Sequence, residues 1–433
     1  MNVLVIGSGY VGLVASACIA EFGSSVTCID MGNDDIEAIS QNRLSIYEPV
    51  LADYIRRNID KGSLSFSSNY EQAISEANII FITLPANAYE YDEEDDLQYL
   101  FDISKFIAPY LQNHTVVVDK IVIAVGAAKK VQEIINEENP GADINVASNP
   151  EFLRQGSAVG DFLRPERIIL GVDSIKAEKT LRQIYRPLNL IEAPFYVTNF
   201  ENAELIKLAS NAFLATKVSF INEIANLCGK VGGDIRSVAK GMGIDTRIGS
   251  KFLHAGPGYG GPCFSKATKA LINAAVKNNV SSQIISSTIK VNDLQSNLMA
   301  EKILRAVSSI GNNVVITILG LTFKPETDDM RDSPSLRIIN KLAETSAVIR
   351  VHDPEGIDQA KKYLPDSVQY FDDLDSAIMN ADALVLMTEW NQYCGLDLKQ
   401  VESIMKGNIF VDLRNIYEKE IMLKYGFDYT CVG

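Results

Sequence analysis

The sequence predicts an α/β protein built from two doubly wound Rossmann-like domains joined by a helical central region. Three observations carry this: an apolar run that opens the chain and breaks at a glycine turn, short apolar runs alternating with helix-forming stretches, and the return of the same order of runs in the last third. The boundaries read as 1–200, 201–310 and 311–433.

The first element is the strand VLVIG, which enters Gly7-Ser-Gly9-Tyr-Val-Gly12 and then the helical stretch LVASACIAEFG. The next strand, SSVTCID, ends on Asp30, at about the twenty-residue distance at which a carboxylate meets the adenosine ribose hydroxyls. A GxGxxG alone is a weak signal. Placed between strand and helix with the acid in position, it makes Gly7, Gly9, Tyr10, Val11, Gly12 and Asp30 a dinucleotide site, for NAD over NADP because Asp34 and Asp35 would repel a 2′-phosphate.

Further strands read at 77–85 (ANIIFITLP), 114–122 (HTVVVDKIV) and 144–152 (INVASNPEF), an alternation that predicts a parallel sheet covered on both faces. The acidic run Glu90–Asp96 between them reads as a solvated loop. From Asn202 the period becomes helical, and a second helical stretch runs from about Ser281 to Ile310. These helices are expected to join the halves and to carry a subunit contact in a homodimer or higher homo-oligomer. The second half then repeats the first in outline: NNVVITILGLTF as opening strand and turn, AVIRVHDP as acid-ended second strand, ADALVLMTEW against ANIIFITLP, NIFVDLRN against HTVVVDK. It lacks GxGxxG, so it is expected to bind something other than the dinucleotide.

Composition narrows the function. A chain of 433 residues, 47% hydrophobic and 22% charged, can bury more than one core. A net charge of −15 argues against nonspecific nucleic-acid binding and leaves room for a local basic pocket for phosphates. No apolar run has the length of a membrane span, and the first runs straight into a glycine turn instead of a cleavage site, which reads as a soluble cytoplasmic protein. Six scattered cysteines and three histidines without metal-ligand spacing predict reduced thiols and no metal site.

The chemistry concentrates in Gly256–Lys266, GPGYGGPCFSK. Four glycines let the backbone approach a phosphate or sugar closely, just before the thiol of Cys263, which suggests a dehydrogenase with a covalent step. Lys207 on the otherwise apolar stretch NAELIKLASNAF would be costly without a function, and Asn211 lies four residues on, on the same helix face.

With these in view the chain resembles the UDP-glucose 6-dehydrogenase family. The resemblance rests on GSGYVG, YEP at 47–49, SNPEFLRQGSAVGDF at 148–162, NAELIKLASNAFLATKVSFINEIA at 202–225, DTRIGSKFLHAGPGYGGPCF at 245–264, LGLTFKPETDDMRDSP at 319–334, TEW at 388–390 and VDLRN at 411–415. It implies an NAD-dependent, four-electron oxidation of UDP-glucose to UDP-glucuronate through a thiohemiacetal and a thioester, in nucleotide-sugar supply for polysaccharide biosynthesis. It implies Cys263 as nucleophile, Lys207 and Asn211 as the pair that holds the reacting oxygen, and Glu151 as the carboxylate for acid–base work and hydrolysis. Phe152, Leu153, Arg247, Phe252, Gly256, Gly260, Lys324 and Arg414 match substrate positions, and Arg331 a cofactor-side arginine.

The departures from the family pattern are specific. Val122 stands where the threonine of K-S-T-V-P-V-G is expected, Ala267 replaces the aspartate of GGSCFPKD, and Gln155 replaces the second carboxylate of NPEFLREG. Ala86-Asn87 stands in place of a threonine-proline, and Gly32–Asp35 lacks the lysine commonly found after the ribose acid. These losses fall on chemistry while framework and substrate motifs survive, and each missing acid–base group costs ~10²–10⁴ in rate. The sequence therefore reads as an NAD-dependent UDP-glucose 6-dehydrogenase with activity open to reduction. The alternatives are an impaired NAD- and nucleotide-sugar-binding paralogue, or a dehydrogenase of another NDP-sugar such as GDP-mannose or an N-acetyl-hexosamine.

Overall fold

Runs of about four or five residues, rich in Val and Ile and bounded by Gly, Asn or Asp, are too short for helices and become strands with side chains alternating between two covered faces. The computed structural model describes residues 1–31, 39, 44, 46–85, 93–311 and 313–433. The expectations for Asp34 and Asp35, for the missing lysine after the ribose acid, for Ala86-Asn87 and for the start of the acidic run lie outside the described residues.

Among those described, eight strands form one sheet: β1 (Asn2–Ile6), β2 (Ser25–Ile29), β3 (Leu64–Phe66), β4 (Ile79–Ile82), β5 (Val116–Asp119), β6 (Asn145–Ser148), β7 (Ile168–Val172) and β8 (Phe195–Thr198), in the order β3-β2-β1-β4-β5-β6-β7-β8. Six more form a second sheet: β9 (Val315–Leu319), β10 (Val348–His352), β11 (Gln369–Tyr370), β12 (Ala383–Leu386), β13 (Ile409–Asp412) and β14 (Asp428–Cys431), in the order β11-β10-β9-β12-β13-β14. The first six strands of each half thus take the same doubly wound order, with the opening strand at the switch point. The pattern matches read from sequence land on equivalent strands, β9 on β1, β10 on β2, β12 on β4 and β13 on β5.

Alternation along each strand builds the two faces of the first sheet. Val3, Val5, Phe81, Val116 and Val118 enter one core, and Leu4, Ile6, Ile80, Ile82 and Val117 the other. Each such side chain, fully buried, contributes ~1.5–3 kcal/mol. The second sheet repeats this, with Ile316, Ile318 and Val385 on one side and Leu319, Leu384 and Leu386 on the other.

All strand pairs are parallel except β6 with β7, where Ala147 faces Val172. Antiparallel neighbours are joined at one end, so residues 149–167 stay at the C-terminal edge of β6. The turns after β1, β4 and β5 open at that same edge, where ligands bind in doubly wound sheets.

By contact density the chain divides into two units, Met1–Ser210 with Asn273–Asn278, and Asn211–Ile272 with Asn279–Gly433. Helix Phe200–Val231 starts in the first and continues into the second; helix Gln283–Val307 belongs to the second. Two local expectations are corrected. The glycine loop stops at Gly261, because Pro262–Lys277 is a helix that begins with proline at its first position, the one helical site where a missing N–H costs nothing. The acidic run is not loop throughout: from residue 93 it is the first turn of helix Glu93–Ile107, where negative charge complements the helix dipole, and Asp96 is buried.

Candidate active site

In the first unit the turn after β1 is shaped by its glycines. Gly7 has φ +103°, and a Cβ on Gly12 would lie 1.9 Å from the Gly7 carbonyl oxygen, so the helix can approach the strand only without side chains here. Helix Tyr10–Glu21 starts from Gly9 with no side-chain cap, which leaves its positive end to an anion; Tyr10 and Val11 are half-buried in its first turn. Asp30 is buried and its Oδ2 accepts the Ser8 N–H at 2.7 Å and the Ser8 hydroxyl at 2.5 Å. Asp30 is thereby tied to the glycine turn after β1.

In the second sheet the acid after β10 is also tied to its own fold. Asp353, after β10, accepts the N–H groups of Leu321 at 2.6 Å and Thr322 at 3.2 Å on Oδ2, with the indole of Trp390 at 3.2 Å, while Oδ1 accepts from Glu355 and Gly356. Both oxygens are spent inside the fold. The carboxylate that the sequence repeat aligns with Asp30 closes the turns around it.

Beyond β6, Glu151 and Lys207 form an ion pair of 2.7 Å with side chains 12% and 8% exposed. Lys207 also donates to the Glu151 carbonyl oxygen, and the second carboxylate oxygen accepts the Leu153 N–H at 2.6 Å. The ammonium lies 5.2 Å from the centre of the Phe152 ring, whose other neighbour is the Arg167 guanidinium at 3.9 Å. Two glutamates that the sequence reading passed over hold the adjoining turns. Glu48 accepts the N–H groups of Gly156 at 2.6 Å and Ala158 at 2.8 Å, next to Gln155, and Glu204 accepts those of Gly126 at 2.6 Å and Ala128 at 2.9 Å. Burial pushes the Glu204 carboxyl up to about 7 despite these bonds. Val122, between β5 and Gly126, is buried with φ +46°, a costly conformation for a β-branched residue. Asp119 at the end of β5 is likewise raised by burial, to about 6, while accepting the Ile121 N–H at 3.0 Å.

In the second unit Cys263 stands exposed on the first turn of helix Pro262–Lys277. The Asn211 side-chain amide donates to its carbonyl oxygen at 3.4 Å, one helical turn past Lys207 on helix Phe200–Val231. Ala267 follows one turn after Cys263 and is buried. The preceding glycine loop is held by amide and hydroxyl side chains. Asn222 accepts the Gly256 N–H at 2.8 Å, Gln295 donates to the Gly256 carbonyl at 2.8 Å, Ser296 donates to that of Pro257 at 3.1 Å, and Asn292 bonds both backbone groups of Tyr259. Sequence reasoning missed all four. The signal was there: Asn292, Gln295 and Ser296 fall at i, i+3, i+4 within helix Gln283–Val307, and Gln295 and Ser296 are buried. Gly260 and Gly261 admit the segment after β9, since a Cβ on Gly260 would lie 2.5 Å from the Asp332 carbonyl and one on Gly261 2.8 Å from the Phe323 ring.

Of the other sequence candidates, Arg414 donates through Nε to the Met387 carbonyl at 2.6 Å and pairs with Glu389 at 3.0 Å, and its Nη1 would be 3.5 Å from a Cβ on Gly256. It lines a cavity of about 360 Å³ together with Arg236, Lys240, Leu253, His254 and Asn415. Lys324 lies 5.8 Å from the centre of the Phe323 ring. Phe252 has φ +62° and packs its ring 6.1 Å from that of Phe264. Arg331 is chelated by Asp329 at 2.7 and 3.0 Å. Arg247, 87% exposed and chelated by Asp245, does not line that cavity. None of the six cysteines is in a disulfide, no group of three potential metal ligands exists among the described residues, and no helix among them is long and apolar enough to cross a membrane.

The chain is similar to known proteins along its whole length. Residues 1–189 match the NAD binding domain of the UDP-glucose/GDP-mannose dehydrogenase family, residues 201–294 its central domain and residues 317–419 its UDP binding domain. The UDP-glucose 6-dehydrogenase of Rhizobium meliloti (strain 1021) is 43% identical over 435 residues, covering 100% of this chain and 99% of that one. The UDP-glucose 6-dehydrogenase YwqF of Bacillus subtilis (strain 168) is 41% identical over 434 residues, covering 100% and 98%. Among solved structures, a UDP-glucose dehydrogenase from Pyrobaculum islandicum superposes with a TM-score of 0.87 at 33% identity, covering 97% of this chain and 95% of that one.

Proposed function

The chain belongs to the UDP-glucose/GDP-mannose dehydrogenase family, and on that premise we propose how its residues divide the work of the NAD-dependent oxidation of UDP-glucose. Bound NAD supplies the hydride acceptor, one molecule for each of the two oxidation steps. Gly7, Gly9, Tyr10, Val11, Gly12 and Asp30 would hold it, the glycines by admitting the pyrophosphate to an uncapped helix end and Asp30 by bonding the ribose. Arg331 is assigned to the cofactor side.

Lys207 and Asn211 hold the reacting oxygen of the sugar. The primary alcohol of the sugar gives up its hydroxyl proton and a first hydride to become an aldehyde; the Cys263 thiolate adds to the aldehyde carbon and the oxygen takes up a proton to form a thiohemiacetal; loss of that proton and a second hydride leaves a thioester, and water displaces the thiolate to give UDP-glucuronate. Glu151 relays the protons. Phe152, Leu153, Phe252, Gly256, Gly260, Lys324, Arg414 and Arg247 are assigned to the nucleotide sugar. The observation that carries this reading is the presentation of Cys263: an exposed thiol on the first turn of a helix, directly after a glycine loop held by four polar side chains.

A homodimer in the cytoplasm completes the proposal. On helix Phe200–Val231 the side chains of Phe213, Phe220 and Leu227 follow one another at seven-residue spacing, and each residue is about half exposed or more, an apolar stripe suited to a second copy of the chain. Light scattering decides it.

The second reading, a protein that binds but turns over poorly, is favoured by the apolar pair Val122 and Ala267, both buried. Absorbance at the NADH wavelength with UDP-glucose and NAD in excess over enzyme separates the two. NADH production that continues beyond two per active site supports the dehydrogenase, a burst that ends at two per active site the impaired form, and no hydride transfer with UDP-glucose but turnover of another NDP-sugar shifts the substrate.

A further inference from the structure

Lys120, the first residue after β5, is a buried cation without an ion pair among the described residues. Its Nζ is 3.1 Å from Asn149 Oδ1 and 3.3 Å from the Tyr185 hydroxyl, and the ring centres of Phe162, Phe81 and Tyr185 lie 5.6, 5.9 and 6.0 Å away. Burial lowers its pKa to about 8, with Glu151 opposing and Lys207 reinforcing the shift. An apolar side chain of the same length would fill this space without the desolvation cost, so stability alone does not account for an ammonium here.

The position does. Asn149 is fixed on every side: Lys120 and the Tyr185 hydroxyl, at 2.6 Å, donate to its Oδ1, its Nδ2 donates to the Ile169 carbonyl at 2.9 Å, and its N–H donates to that of Asp119 at 2.8 Å. Two residues later in the same strap comes Glu151, in its pair with Lys207. We propose that Lys120 is a positioning residue for the reaction: it anchors, through Asn149, the strap that carries Glu151, and sets a positive charge behind the Glu151–Lys207 pair. This rests on the reading of Glu151 as the acid–base group. The titratable groups facing Lys120 are Asp119, Glu151, Lys207 and Tyr185.

The test uses the full-length enzyme with Lys120→Met, which keeps length and volume, and Tyr185→Phe, which keeps the cation and removes one donor to Asn149. For Lys120→Met the expected result is a ~10–100-fold fall in kcat with both KM values within ~3-fold of wild type, a pH profile moved to higher pH through loss of a neighbouring cation, and faster amide exchange over 149–157. Tyr185→Phe is expected to lose several-fold in kcat with its pH profile unmoved. A folded Lys120→Met with wild-type kcat and profile, or one that loses kcat while strap exchange and profile both stay as in wild type, overturns the proposal. If Lys120→Met does not fold, Tyr185→Phe decides, and wild-type kcat and strap exchange there overturn it. Absence of NADH production from UDP-glucose by the wild type overturns the function reading instead, and strap exchange still reports whether Lys120 anchors Asn149.

Discussion

Lys207 meets the Glu151 carboxylate at 2.7 Å and donates to the carbonyl of the same residue, so one ammonium grips both the side chain and the backbone of the strap beyond β6. In a nearly dry pair, removing one partner leaves the other charge buried and uncompensated, at a cost of ~3–5 kcal/mol. Lys207→Ala is therefore expected to lose stability on that scale as well as activity. Glu151→Gln keeps one acceptor oxygen, for Lys207 or for the Leu153 N–H and not for both, and leaves the ammonium without its counter-charge, so it too should lose stability, ~1–3 kcal/mol and less than Lys207→Ala, while kcat falls ~10²–10⁴-fold. Urea unfolding beside steady-state kinetics checks both. Equal stability losses in the two variants would contradict the pairing.

Asp30 closes the turn onto Ser8, and because we assign it to the cofactor ribose as well, NAD is expected to bind much more tightly than NADP. Asp30→Asn keeps the shape of the side chain, weakens the preference and costs ~1–3 kcal/mol through the buried Ser8 contacts. Titration of both cofactors at moderate salt measures it. Equal affinity of the wild type for NAD and NADP would remove Asp30 from the cofactor.

Glu204 makes stability depend on pH in a direction opposite to that of an exposed ion-paired carboxylate. Its folded-state value of about 7 lies above its ordinary 4.5, chiefly through burial, so the folded protein holds this proton more tightly than the unfolded chain does. The contribution is complete below pH 4.5 and is lost as pH rises through 7, up to ~3 kcal/mol in all at ~1.4 kcal/mol per unit. Glu204→Gln cannot titrate and still offers one acceptor to Gly126 or Ala128. Between pH 4.5 and 7.5 the wild type should lose more stability than this variant; parallel curves would show that the two N–H bonds, not burial, govern the group.

The sequence disclosed the strands that are rich in β-branched residues and the two glycine-bearing segments, since there local chemistry and tertiary role agree. It did not disclose β3, β7, β8, β11 and β14. Leu64–Phe66 is three residues long, Gln369–Tyr370 two, and Ile168–Val172 is placed by its parallel pairing with β8 and its short antiparallel pairing with β6, neither of which its own residues announce. Gly-Gly-Pro before Cys263 reads as loop until Pro262 is recognised as the first residue of a helix. At the candidate site, Cys263, Lys207 and Glu151 stand out in the sequence by their reactive groups. Those that position them do not, because Glu48, Glu204, Asn222 and Gln295 act on backbone atoms far away in the chain.

The replaced residues predict where the reaction slows. On helix Pro262–Lys277 the alanine at 267 stands one turn from Cys263, so the thiol has the favourable end of the helix dipole without a carboxylate one turn on, and thiol capture is expected to proceed. Hydrolysis of the thioester needs a water that is oriented and deprotonated, and Val122, Gln155 and Ala267 offer neither a hydroxyl nor a carboxylate for it. Oxidation is therefore expected to stall at a sugar thioester on Cys263, visible as added mass on the denatured protein after incubation with NAD and UDP-glucose. Restoring Val122→Thr and Ala267→Asp together should raise steady turnover far more than the initial burst. If both restored groups serve the hydrolysis step, the gain of the double variant will exceed the product of the single variants. An unmodified Cys263 after incubation, with burst and turnover rising equally in the restored enzyme, would move the block to a step before the thioester.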